Sequence, residues 1–175
     1  MLVLHEVQSE QDEVQAWQLI QEYLDWLNEC LHQEYQLHLD VMNMIADDKA
    51  ESEKFVRPYG RFYLALAHGE IAGVGRLKKL DDEVAELKRM YVRPKFRGLG
   101  IGRLLLNQLI ADARTIGYLK LRLDSLRFLT AAYHLYKSVG FYEIDGYRGQ
   151  NTKLYEAEGD TRANHPVTVF MEMTL

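Results

Sequence analysis

The sequence predicts an α/β fold organised around a mixed β-sheet. Two patterns carry this. Three apolar runs between residues 61 and 92 are joined by short polar turns, as in an antiparallel meander. The third run, 84–92, leads into a helix-period stretch, about 100–116, and then into an alternating run, 119–124. A strand, a helix and a strand in that order make one parallel crossover unit. The length agrees: 175 residues suffice for one domain with a real core and are few for two, so residues 1–175 read as a single domain.

Leu2 to Val7 reads as a short first strand. Glu10 to Leu31 reads as a helix, because Val14, Trp17, Ile20, Leu24, Leu27 and Leu31 recur at steps of three and four. A weaker second helix lies around Leu37 to Ala46. Residues 47–54 are polar, and Arg57-Pro58-Tyr59-Gly60 marks a turn. The meander follows as 61–68, 71–80 and 84–92, with turns at Gly69-Glu70 and Asp81-Asp82. Strict alternation in its last strand puts Val84, Glu86, Lys88, Met90 and Val92 on one face and Ala85, Leu87, Arg89 and Tyr91 on the other. Arg93-Pro94 ends that strand, since proline cannot donate to the ladder. Gly117 stops the crossover helix. Residues 130–139 form a last helix, with Ala132, Leu135, Tyr136 and Val139 on one side. A strand at 141–144, a long polar loop at 145–166 and a final strand at 167–175 complete the chain.

Composition excludes several classes. There are 26 acidic and 21 basic side chains, a net charge of -5, so a general nucleic-acid binder is not expected. No apolar run approaches the roughly 18 residues of a membrane span, and the first residues lack the features of a secretory signal. The reading is a cytoplasmic protein with no membrane partner. Cys30 is the only cysteine and reads as a small buried apolar residue. The histidines show no ligand spacing with a carboxylate on one helix face, so no metal is expected.

The stretch RPKFRGLGIGRLLLNQLI, 93–110, places three glycines in five positions directly before the crossover helix. A helix N-terminus presents unsatisfied N–H groups and a partial positive charge, and both attract phosphate. Glycines there let oxygens approach the main chain and permit positive φ. Arg97, Gly98, Leu99, Gly100, Ile101, Gly102 and Arg103 therefore form a candidate diphosphate cradle. Gly102 is followed by Arg103 and Leu104, not by the Lys-Ser/Thr of a nucleoside-triphosphate loop. A dinucleotide reading survives through Asp124, which closes the next strand about 20 residues on, where a ribose-binding acid would stand.

Arg97-x-x-Gly100-x-Gly102, preceded by Met90-Tyr91-Val92 and followed by an apolar helix, resembles the acetyl-CoA motif of the GCN5-related N-acetyltransferase (GNAT) superfamily. AAYHLYKSVGF, 131–141, resembles that superfamily's second motif. The resemblance is firm over about 61–144, and more narrowly it points to small bacterial members of unassigned acceptor. It implies a mixed, mostly antiparallel sheet with a central splayed strand pair flanked by helices. It also implies acetyl-CoA as cosubstrate, with the main chain of Met90, Tyr91 and Val92 pairing with the pantetheine arm and the Arg97–Arg103 loop holding the pyrophosphate. Homodimers are common in that superfamily. One departure is Leu129, where members often carry an asparagine that contacts the cofactor arm.

Acetyl transfer to an amine needs a neutral amine, a stabilised carbonyl oxygen and a proton for the departing thiolate. Tyr136 aligns with the superfamily's tyrosine and is the expected proton donor. Glu86, on the face assigned to Met90 and Val92, is the expected base. The alternative is a non-catalytic acyl-CoA sensor on the same fold. The acceptor reads as a small-molecule amine or a peptide or protein amine. Glu22, Asp25, Glu29, Glu34, Asp40, Asp47 and Asp48 suggest an acidic mouth that attracts a cation. Tyr23, Trp26, Tyr35, Tyr59 and Tyr63 are candidate aromatic walls, and 47–60 and 145–166 are candidate lids.

Overall fold

The computed structural model describes residues 1–147 and 167–175. Most of the expected 145–166 loop and lid thus lies outside the described residues. The strands are β1 (Leu2–Glu6), β2 (Arg61–Ala67), β3 (Glu70–Lys79), β4 (Val84–Val92), β5 (Lys120–Leu126), β6 (Tyr142–Ile144) and β7 (Thr168–Thr174). The helices are α1 (Glu10–Tyr35), α2 (Val41–Ala50), α3 (Ile101–Ile116) and α4 (Thr130–Ser138). The strands form one sheet in the order β1-β2-β3-β4-β5-β7-β6. Among these pairings only β4–β5 is parallel, so the sheet is mixed and mostly antiparallel.

Each helix has a local reason to begin or end where it does. Ser9 and Asp12 cap α1 reciprocally: the Ser9 side chain accepts from the Asp12 N–H, and the Asp12 carboxylate accepts from the Ser9 N–H. The helix runs to Tyr35 and stops where Gln36 turns left-handed. The second helix starts four residues later than its apolar pattern suggests, because Asp40 accepts from the Asn43 N–H and sets the cap there. Leu37 and Leu39 are buried beneath the connection instead.

Two apolar layers sandwich the sheet. Leu105, Leu106, Leu109 and Ala113 of α3 pack with Tyr63, Leu77, Ala85 and Leu121 on one face, and Tyr136 of α4 joins them. Leu19, Ile20, Leu24 and Leu31 of α1 pack with Phe62, Leu64, Val74 and Tyr91 on the other.

The face assignment in β4 needs correction. Val74 pairs with Tyr91 and Arg76 with Lys88, so two steps along β3 match three along β4. The extra residue is a β-bulge, and Arg89 within it has φ of 54°. A bulge shifts alternation by one. Glu86 lies opposite Lys78 and faces the α1–α2 side, whereas Met90 and Val92 pack on the α3 side. Glu86 therefore does not share a face with Met90 and Val92.

Under α2 sits a buried ion cluster. Asp48 accepts from Arg76 Nη1 at 3.0 Å and from Arg89 Nε at 2.8 Å. The Arg76 guanidinium lies 3.4 Å from the Phe55 ring centre and 4.5 Å from that of Phe62. Burial pushes the Asp48 carboxyl toward a higher pKa, but Arg89, Lys88 and Arg76 outweigh it and hold the pKa below the usual carboxylate value. A lowered carboxyl pKa contributes stability above the unfolded-state value, and that stability is lost as pH falls through the folded-state value. Asp48→Asn should lower the unfolding free energy by about 3 kcal/mol at neutral pH, because the buried Arg76 and the half-buried Arg89 lose their counter-ion. Urea titrations between pH 7 and pH 2 should show the wild-type advantage holding to about pH 4, the unfolded carboxyl range, and shrinking below it. Equal midpoints at pH 7 would refute the assignment.

Candidate active site

The strands β4 and β5 hydrogen-bond through only three rungs, Val84–Lys120, Ala85–Leu121 and Glu86–Arg122. Beyond Glu86 they part. On its far side β5 stays paired with β7 over its whole length, and β4 stays with β3. The edge of β4 from Leu87 to Val92 that faces β5 thus has no strand partner. A cavity of about 680 Å³ opens in the gap. Its walls come from β4, the loop before α3, the N-terminus of α3, the end of β5, α4, and Tyr23, Trp26, Cys30 and Glu34 of α1.

The glycine loop forms one end. Gly98 and Gly100 have φ of 82° and 81°, a conformation that side chains disfavour. A Cβ at either position would meet open space, so it is backbone conformation that requires glycine there. Gly100 caps α3 without a side-chain hydrogen bond, and the first bond into the helix is from Leu104 N–H to Gly100 O. The N–H groups of Ile101, Gly102 and Arg103 are left with no acceptor in the helix. This end of the cavity has the donors and the dipole sign that suit a diphosphate.

Ten of the twelve expected site residues line this cavity: Met90, Tyr91, Val92, Arg97, Gly98, Gly100, Ile101, Gly102, Arg103 and Tyr136. Leu99 does not, and its side chain points to solvent at 49% exposure. Glu86 does not either. It is fully buried on the α1–α2 side, where it accepts from the Tyr147 hydroxyl at 2.7 Å. Arg97 donates through Nε to Val92 O at 3.1 Å, and its guanidinium lies 5.0 Å from the Trp26 ring centre. Arg103 donates to Ser138 Oγ at 2.9 Å, tying the start of α3 to the end of α4. Leu129 lines the cavity just before α4 and supplies no side-chain cap.

Two phenols meet in the gap from opposite faces. Tyr136 reaches it from α4 and Tyr23 from α1. Among the described residues neither hydroxyl has a hydrogen-bond partner. Burial raises both phenol pKa values, that of Tyr23 to about 12. The charge of Asp124 raises each further, and all three residues line the same cavity. Asp124 lines the cavity from β5, at the level where β4 has pulled away. From the sequence it reads as the ribose-binding acid of a dinucleotide site and not as part of acetyl transfer. Its parity was the available signal, since Lys120, Arg122 and Asp124 alternate with the buried Leu121 and Leu123.

Part of the acidic mouth is spent within the protein. Glu22 forms a two-pronged pair with Arg93 and accepts from Tyr91, and Asp48 is held by Arg76 and Arg89. Asp40 caps α2. Of the acids named, only Glu34 lines the large cavity. Tyr23 and Trp26 are walls as expected, whereas Tyr35 stacks on Phe128 and Tyr63 bonds Asp112. Among the described residues no group of three metal-ligating side chains comes together, and no helix is long and apolar enough to cross a membrane.

A splayed parallel pair with a glycine loop and a helix N-terminus at its mouth makes a groove suited to an extended ligand that carries a diphosphate. Comparison with known proteins specifies it. Residues 20–141 match the family model described as the acetyltransferase (GNAT) family, and the chain belongs to that family of acetyl-CoA-dependent acyltransferases. An uncharacterised N-acetyltransferase of Schizosaccharomyces pombe is 34% identical over 131 residues, 74% of this chain and 76% of its own. The N-alpha-acetyltransferase RimI of Mycobacterium tuberculosis is 30% identical over 69% of this chain and 77% of its own. A Dictyostelium discoideum N-acetyltransferase is 48% identical over 65 residues, but this covers 37% of this chain and 30% of that one. Among solved structures, a GNAT acetyltransferase of Staphylococcus aureus shares the fold at a TM-score of 0.72 and 19% identity, covering 100% of this chain and 99% of that one. A GNAT acetyltransferase of Elizabethkingia anophelis with acetyl-CoA bound does so at 0.62 and 21%, covering 99% and 98%.

Gly100→Ala should test the loop. A left-handed alanine costs about 1–2 kcal/mol, so the urea midpoint should fall and the acetyl-CoA Kd, measured by calorimetry, should rise. An unchanged Kd would detach the loop from cofactor binding.

Proposed function

We propose that this chain transfers the acetyl group of acetyl-CoA to a primary amine by direct attack in a ternary complex, with Tyr136 as proton donor and Asp124, rather than Glu86, as proton acceptor. The observation that carries the reading is the meeting of a phenol and a carboxylate in the gap beside an unpartnered strand edge. Bound acetyl-CoA supplies the thioester. The N–H groups of Ile101, Gly102 and Arg103 hold its diphosphate, with Gly98 and Gly100 shaping their approach, and the open edge of Met90 to Val92 holds the arm.

The residues then manage two protons. Asp124 takes one from the amine, directly or through a water, as the C–N bond forms. Tyr136 gives one to the sulfur as the C–S bond breaks. A proton then passes from Asp124 to the Tyr136 phenolate, directly or through solvent, so both residues are restored and the net movement is one proton from nitrogen to sulfur. No covalent bond to the protein is needed. Burial and the neighbouring Tyr23 and Asp124 keep Tyr136 protonated above the ordinary phenol range, which suits a donor and not a base. The acceptor is an amine of a small molecule, peptide or protein, met in the cytoplasm.

Tyr136→Phe should still bind acetyl-CoA and should lose kcat by about 100-fold or more, the scale of general acid catalysis. Because the Tyr136 pKa is raised, wild-type kcat at saturating amine should not fall on the alkaline side up to about pH 10. A CoA-release assay against an amine panel measures both. Undiminished turnover in Tyr136→Phe would remove the phenol from the mechanism, and no turnover with any amine would favour a sensor.

A further inference from the structure

We propose that the acceptor carries a carboxylate as well as its amine, and that Arg89 binds that carboxylate. This rests on the acetyl-transfer reading and names the acceptor class. The β4 bulge holds Arg89 at a φ of 54°, which few side chains tolerate without compensation. Its guanidinium is fixed along one edge: Nε and Nη2 donate to the two Asp48 oxygens at 2.8 and 3.3 Å. Asp48 is in turn anchored by the buried Arg76. Among the described residues nothing accepts from Nη1. The guanidinium thus presents a second, rigid edge, and a planar fork of that kind matches a carboxylate through two parallel hydrogen bonds.

That group stands at a junction. Arg89 lines the large cavity and also a second cavity of about 60 Å³, which shares Tyr23, Leu87, Asp124 and Ser125 with the first. Lys88 adds another cation to the small cavity, and Leu27, Leu39 and Met44 give it an apolar back wall. A volume of 60 Å³ takes only a few heavy atoms, on the scale of about 10–15 Å³ for one water. It suits a carboxylate with a short stem and is too small for a polypeptide segment. An amine at Asp124 and a carboxylate at Arg89 describe a free amino acid. Of the acids that would draw a simple polycation, Glu22 and Asp48 are held by Arg93, Arg76 and Arg89, and of the seven only Glu34 lines the cavity.

The test compares matched acceptors on the intact protein. Glycine, L-alanine, L-aspartate, L-glutamate and L-methionine are each assayed against the fully esterified form and against spermidine, with acetyl-CoA binding measured separately by calorimetry. At least one free acid should exceed its ester in kcat/KM by about 10- to 100-fold, the range of a hydrogen-bonded charged pair, with the difference in KM. Arg89→Gln should bring that ratio toward unity, and Arg89→Lys should recover part of it. Because Arg89 also steadies Asp48, the wild-type ratio decides if Arg89→Gln does not fold. Esters or spermidine turned over as well as the acids would overturn the inference and leave acetyl transfer standing. Silence of the whole panel with acetyl-CoA still bound would also overturn it. Failure of acetyl-CoA to bind would bring down the functional reading itself.

Discussion

The separation of β4 from β5 after three rungs governs this molecule. Backbone N–H and C=O groups demand partners, and a strand edge released inside a fold leaves a row of them unmet. Here the release is enforced from both sides. Pairing with β7 engages all of β5, from Lys120 to Leu126, and the bulge at Arg89 bends β4 while it remains bonded to β3. The vacant edge is therefore a built feature, and an extended ligand arm can complete it as an added strand would. The same gap pierces the sheet. It lets Tyr136, from the α3–α4 layer, and Tyr23, from the α1–α2 layer, approach one another across what would otherwise be a closed partition.

The bulge also sets the electrostatics. By re-aiming Arg89 toward α2 it brings a second guanidinium to Asp48, and burial alone would make that cluster unfavourable. Aromatic faces and the shared carboxylate compensate: burial pushes the Arg76 pKa down to about 9, still above neutrality, while the rings of Phe55, Phe62 and Trp17 surround it. A cluster of this stiffness is a platform. Residues that hang from it, Arg89 above all, have little freedom left to lose when a ligand arrives.

Much of this was legible in the sequence where the cause is local. Alternation located the strands to within two residues, and the glycines before α3 announced a left-handed turn at a helix N-terminus, because Gly98 and Gly100 need that conformation whatever surrounds them. Glu86 was misread because period-2 counting assumes an unbroken ladder, and nothing in VAELKRMYV marks Arg89 as the extra residue. Only the partner strand reveals the mismatch. Asp124 was visible as a charge at a strand end, but that the β4–β5 ladder stops at Arg122, two residues before it, is a fact of topology. The second helix moved by four residues because a cap at Asp40 outranked a weak apolar stripe.

The acceptor side carries the same lesson in charge. Seven acids between Glu22 and Asp48 look like a negative mouth when counted along the chain. A potential is made by charges that remain uncompensated where the substrate arrives, and folding redistributes them. Glu22 is neutralised by Arg93, and Asp48 by Arg76 and Arg89. Those two acids thereby become anchors that orient cations, and cations face the cavities: Arg97 and Arg103 at the glycine-loop end, Arg89 and Lys88 at the other. A chain of net charge -5 thus presents basic groups at both ends of its groove. Two carboxylates, Glu34 and Asp124, stand among them in the wall of the large cavity, and of the two Asp124 lies on β5 beside the open edge of β4.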